Sequence, residues 1–143
     1  MIKHPEFALQ VRICRWLEYN HPKTLFMSDT IANLKLTISQ ATRNKMIQKN
    51  DFHVPDLIIF EPNEKYKGLF VELKKESPYK KDGGLKMQKV MKKTRGGLYS
   101  YNHLEAQENS MKQLRSKGYY ATFIWSFEDF QNLFNDYLKN RLD

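Results

Sequence analysis

A chain of 143 residues, 41% hydrophobic and 13% aromatic, can bury one core, is too short for two ordinary domains and is too apolar for a disordered segment. Its formal net charge of +8 points to an anionic partner, and no apolar run approaches the roughly 20 residues of a membrane span or forms a signal-like region at the start, so a cytoplasmic protein is expected. The single cysteine, Cys14, excludes an internal disulfide and fits a reducing interior, and the four histidines lack the spacing of a structural zinc site.

The first helix is expected from about Pro5, favourable in a first turn, to Tyr19, with Asn20-His21-Pro22 stopping it. Its apolar stripe reads Phe7, Val11, Cys14 with Leu17 alongside, which assigns Cys14 to core packing. A second stripe, Glu6, Gln10, Ile13 and Leu17, sets two polar residues at the N-terminal end of a core-facing seam. A short strand is expected over Thr24 to Ser28. Ser39 to Lys49 then reads as a helix with Ala41, Met46 and Ile47, carrying Arg43, Lys45 and Lys49.

Two apolar runs follow, VPDLIIFEP around Asp56 and KGLFVELKK around Glu72. They are short, rich in Ile, Val, Leu and Phe, and bounded by Pro, Asn and Gly, as strands are. The link from Pro62 to Lys67 suits a hairpin. Counting outward from that turn brings Asp56 and Glu72 to the same end, directly or diagonally opposed, where Cβ atoms lie roughly 5–8 Å apart. Two carboxylates that close repel unless they share a proton or a divalent cation. Alternation along the second strand puts Phe70, Glu72 and Lys74 on one face and Leu69, Val71 and Leu73 on the other. An Asp, a Glu and a Lys thus converge at one sheet end, a pattern suited to a metal site with a cation beside it.

From Lys74 to Arg95 there are nine Lys or Arg against two acids, together with Gly83 and Gly84 and followed by Gly96 and Gly97. This reads as a flexible cationic loop leaving the strand beside the carboxylates, able to hold a phosphate backbone. Lys75, Lys80, Lys81, Lys86, Lys89, Lys92, Lys93 and Arg95 are its candidate contacts. Tyr79 is its one aromatic residue, so stacking on bases is not implied, and Tyr99 and Tyr101 are read as packing residues.

A third helix is expected from about Asn102 to Lys117, stopped by Gly118. Its stripe is Leu104, Gln107, Met111 and Leu114, with Gln107 an amide in line with core positions. Tyr119 to Trp125 reads as a strand buried on both faces. Ser126 caps a last helix, with Asp129 three residues on, whose Phe127, Phe130, Phe134, Tyr137 and Leu138 face the core. Trp16 and Trp125 are also assigned to the core. The order is α-β-α-β-β-α-β-α, one α/β domain over residues 1–143 with helices flanking a small mixed sheet.

That order and those residues resemble the PD-(D/E)xK nuclease superfamily, whose fold is restriction-endonuclease-like, and within it the virus-type replication-repair nuclease (VRR-NUC) domain. The matching positions are Glu6 with Gln10, Pro55-Asp56, Glu72-Leu73-Lys74, and Gln107 within HLEAQENSMKQLRSKGYYATF. Val54 departs from the Gly that many members carry before the Pro-Asp pair, and the basic loop is longer than in compact members. The resemblance implies Mg²⁺ or Mn²⁺ held by Asp56, Glu72 and the backbone carbonyl of Leu73, with Glu6 holding the metal or its water. It implies that Lys74 positions the attacking water or stabilises phosphate charge, and that Gln107 completes the site. Taken alone, Glu6 also suits a helix first turn through the dipole, and Gln107 could serve a backbone hydrogen bond in the core.

The expected function is a metal-dependent DNA endonuclease of phage type, structure-selective for branched, junction or flap DNA in replication, recombination or repair, since related domains resolve junctions or process flaps. No recognition helix with a base-reading pattern is visible. One active site per chain would require a homodimer for symmetric cutting of both strands. Two alternatives stay open: a non-catalytic DNA-binding or assembly module of the same fold, and a nuclease acting on RNA.

Overall fold

The two apolar runs form a hairpin in a computed structural model of the chain, which describes residues 4–29 and 34–143. Among the described residues ten elements follow in order: α1 (Pro5–Asn20), β1 (Phe26–Ser28), α2 (Ile38–Met46), β2 (Leu57–Ile59), β3 (Leu69–Leu73), β4 (Lys89–Thr94), β5 (Gly97–Asn102), α3 (His103–Ser116), β6 (Tyr120–Ile124) and α4 (Phe127–Leu138). β2 and β3 are antiparallel, pairing Leu57 with Val71 and Ile59 with Leu69. β1 adds to β2 antiparallel, and β6 runs parallel beside β3, giving a four-stranded mixed sheet in the order β1-β2-β3-β6.

Period-2 alternation divides the sheet between two cores. Leu57, Ile59, Leu69, Val71, Leu73 and Ile124 pack with Ile13 and Leu17 of α1 and with Phe130, Phe134 and Tyr137 of α4. Ala121 and Phe123 of β6 pack instead with Leu104, Met111 and Leu114 of α3. Phe70, Glu72 and Lys74 therefore fall on the α3 face. Trp16 and Trp125 are half-buried, each set against one of the two cores.

Local capping chemistry agrees with the helix ends. Thr37 and Gln40 form a reciprocal capping box before α2, and the Ser126 hydroxyl accepts from Asp129 N at 3.1 Å before α4. Gly118 has φ +97, which allows Tyr119 N to reach Leu114 O and Gly118 N to reach Arg115 O behind α3.

The burial expected for α1 and α4 is corrected in part, and α2 lies on the surface. In α1 the buried seam is Gln10, Ile13 and Leu17, whereas Phe7 is exposed and Val11 and Cys14 are half-buried. Cys14 touches the core from its edge, with Sγ 3.2 Å from the Ser28 hydroxyl. α2 buries none of its residues, and Met46 and Ile47 face solvent. In α4, Phe127 is half-buried under Arg12 and Leu138 is exposed, while Phe130, Phe134 and Tyr137 are fully buried.

The basic segment is not one continuous loop. Its first part folds back through a bridge between Tyr79 and Leu85, closed by an Asp82-Gly83-Gly84 turn, and packs on Phe123 and Trp125. Its second part is β4, which pairs with β5 in a separate two-stranded sheet. A polar strand solvated on both faces carries no hydrophobic period, so its extended conformation leaves little trace in the residue pattern. Among the described residues no helix is long and apolar enough to cross a membrane.

Candidate active site

One residue beyond the Leu57–Val71 pair, the β2–β3 register sets Asp56 opposite Glu72. Asp56 is fixed from two sides. Its Oδ2 accepts from Leu73 N at 2.9 Å, and its carbonyl accepts from Gln10 Nε2 at 3.2 Å and from Asp29 N at 2.9 Å. Glu72 Oε1 accepts from Gln107 Nε2 at 2.9 Å, so α3 reaches across the sheet face to orient that carboxyl group. Lys74 follows on the same face, its backbone N held by Ile124 O at 2.9 Å and its Nζ 6.0 Å from the Phe123 ring centre.

These residues line one cavity of about 310 Å³. Gln10, Glu72, Lys74 and Gln107 are only 7, 6, 9 and 7% exposed, unusual burial for polar side chains outside functional or ion-paired settings. Burial raises the Glu72 pKa well above its ordinary 4.5, and the Asp56 charge and hydrogen bond raise it further, with Glu6 adding to this and Lys74 opposing it. Two like charges cannot both ionise cheaply at this spacing without a cation.

Glu6 lines the cavity but is exposed at its rim. Among the described residues no three His, Cys, Asp and Glu side chains gather closely enough to hold an ion together. Glu6 thus does not join Asp56 and Glu72 in a three-acid cage, because the first turn of α1 carries it to the solvent side. The donor set still fits a hard divalent cation. Mg²⁺ binds through one or two carboxylates with water and substrate phosphate completing its shell. Gln107 Oε1 points the same way, a buried acceptor without a hydrogen-bond partner, at an amide whose Nε2 holds Glu72.

Two histidines enter the cavity that were not singled out from the chain, His53 and His103. Their rings meet edge to face at 5.6 Å. His53 stands three residues before Asp56, with its N bonded to the Ser110 hydroxyl at 2.8 Å. His103 opens α3 one turn before Gln107, and burial followed by Lys74 pushes its pKa down. Those two spacings, His-x-x-Asp and His-x-x-x-Gln, were the available signals.

The eight expected phosphate contacts divide by position. Lys75 and Lys86 line a depression that Lys74 and Glu6 share. Lys80 and Lys81 sit at the Asp82 turn, and Arg95 at the β4–β5 turn. Lys92 occupies one face of the β4–β5 hairpin, and Lys89 and Lys93 the other.

No protein-family model matches the chain, and no curated protein does. A solved structure described as a VRR_NUC domain protein matches it with a TM-score of 0.59 at 19% sequence identity, covering 97% of this chain and 92% of that one. The chain has the VRR_NUC fold. At this identity the likeness is one of architecture: a small mixed sheet flanked by helices, spanning almost the whole of both chains.

The raised Glu72 pKa has a sign that can be measured in metal-free protein. Below the ordinary carboxylate pKa both folded and unfolded chains carry the proton, and the contribution is fully present. As pH rises through the folded pKa that proton is lost and stability falls. Glu72→Gln is neutral throughout and can still accept from Gln107. In chelator its melting temperature should match wild type near about pH 4 and exceed it increasingly toward about pH 8. A gap that does not change with pH would contradict the raised pKa of Glu72.

Proposed function

We propose that the chain is a metal-dependent DNA endonuclease that hydrolyses phosphodiester bonds with structure selectivity, its Pro55-Asp56 and Glu72-Leu73-Lys74 serving as a PD-(D/E)xK motif. The observation carrying this reading is the cavity in which Asp56 stands opposite Glu72 with Lys74 and Gln107 beside them. The VRR_NUC fold supports it, as does a cationic surface beginning at Lys75 next to the site.

Asp56, Glu72 and the Leu73 carbonyl would hold Mg²⁺ or Mn²⁺, with Glu6 reaching its water from the rim. When bound, such an ion acidifies water and neutralises charge on the phosphate. Leu73 N–H keeps the Asp56 carboxylate turned toward the cavity, and Gln107 fixes the Glu72 rotamer. Lys74, confined beside them, presents a positive charge to the phosphate without reorganising during reaction. Glu72, Lys74 and Gln107 are buried away from bulk water, which strengthens each of these contacts. Lys75 and Lys86 bind flanking phosphates and set the backbone across the site. No covalent intermediate on the protein is required. A homodimer would supply the second site for symmetric cutting of a junction.

The test is a panel of linear duplex, single strand, flap and four-way junction DNA, each with Mg²⁺ and with chelator. Cleavage confined to the Mg²⁺ arms and strongest on a branched substrate is the expected result. Binding without cleavage of any substrate in the Mg²⁺ arms would instead mark a non-catalytic DNA-binding module.

A further inference from the structure

The β4–β5 hairpin stands outside the four-stranded sheet and has two chemically different faces. Directly opposed residues in an antiparallel pair share a face. Lys92 opposes Tyr99 and Val90 opposes Tyr101, whereas Lys89, Met91 and Lys93 oppose Asn102, Ser100 and Leu98 on the reverse side. The Lys92–Tyr99–Tyr101 face forms one wall of a cleft of about 620 Å³, and Lys45 and Lys49, at the end of α2 and just beyond it, form the other. His53 lines both this cleft and the cavity holding Asp56 and Glu72, so the two are neighbours across that residue.

A row of rings leads along this path. Tyr99 lies 6.3 Å from Tyr101, Tyr101 6.1 Å from His103, and His103 5.6 Å from His53. Tyr99 is 44% exposed, so it is not the packing residue expected from the chain. Aromatic faces open to solvent beside lysines match the chemistry of an unpaired strand, whose bases stack while its phosphates take the ammonium groups. The stacked base pairs of an intact duplex would leave those faces unused.

The geometry points to the cleft between α2 and the β4–β5 hairpin as a binding site for an unpaired DNA strand, which passes His53 to reach the Asp56–Glu72 cavity. The delivery of that strand to a cutting site rests on the nuclease reading, but its binding does not. The site makes the preferred substrate one with a single-stranded arm at the scissile position.

Binding measured in chelator separates the two. A single-stranded oligonucleotide of about ten nucleotides, within the usual site size, carries 2-aminopurine as a stacking reporter, and a blunt duplex serves as comparison. Tyr99→Ala and Tyr101→Ala should each weaken single-strand binding about 10-fold or more and abolish the fluorescence quench, with duplex affinity unchanged. Tyr99→Phe should retain both. Met91→Ala, on the reverse face opposite Ser100, should leave the quench intact. Should Tyr101→Ala unfold the hairpin, the exposed Tyr99 decides the matter. Wild-type single-strand affinity in Tyr99→Ala, or equal losses for duplex and single strand, would overturn the site. Failure to cleave any substrate, with these binding results intact, would remove the nuclease reading and leave the cleft standing.

Discussion

Asp56→Asn and Glu72→Gln should each lower Mg²⁺-dependent cleavage by on the order of 10³-fold or more while the fold and DNA affinity persist. The magnitude follows from losing several kcal/mol of charge stabilisation at the phosphate, each ~1.4 kcal/mol being tenfold in rate. These variants isolate charge from structure. The amide oxygen that Asp56→Asn introduces can still accept from Leu73 N, and the one that Glu72→Gln introduces can still accept from Gln107. Neither change takes the acceptor from Leu73 N–H or from the Gln107 amide. Removing one of two like charges in a buried cavity also relieves repulsion and does not unfold the metal-free protein. Single-turnover cleavage together with filter binding provides the measurement. Near wild-type rates in either variant would show that the phosphate is hydrolysed elsewhere.

The largest expected effect on stability lies far from the cavity, at Phe134. Phe134→Ala should cost about 3–5 kcal/mol, a large share of the ~5–15 kcal/mol that stabilises an ordinary domain. Phe134 is fully buried, stacks on Phe130 at 6.0 Å, and meets Trp16 and His21 of the α1 region edge to face at 6.0 and 4.8 Å. These rings tie α4 to α1 beside the sheet. α1 in turn sends Gln10 to the Asp56 carbonyl, so loosening the cluster also frees one support of the site. Thermal unfolding should show a fall of about 10 °C or more. A shift below about 3 °C would mean that α1 and α4 are not held together by this cluster.

The carboxylate pair was legible in the chain because a hairpin converts sequence distance into spatial distance with few alternatives. Once β2 and β3 are recognised by period and their connection is short, antiparallel pairing fixes which residue opposes which, and Asp56 meets Glu72. Gln10 and Gln107 were legible for a related reason, being amides at positions where a 3.6-residue period demands apolar side chains. Glu6 shares the α1 seam in sequence but not in burial. A helix period gives direction, and only the position of the helix end against the sheet decides how deep its first turn lies.

Local pattern alone therefore determined the α/β class, the two buried amides, the helix boundaries at Ser126 and Gly118, and the meeting of the two acids. Tertiary structure decided that His53 and His103, fifty residues apart, share a cavity, that the Lys89–Thr94 part of the cationic segment becomes a strand, and that Lys92 rather than Lys89 or Lys93 faces α2. The physical reason is burial. Where a residue's neighbours are core, periodicity records them; where an element is solvated on both faces, nothing in its own composition says what will lie beside it.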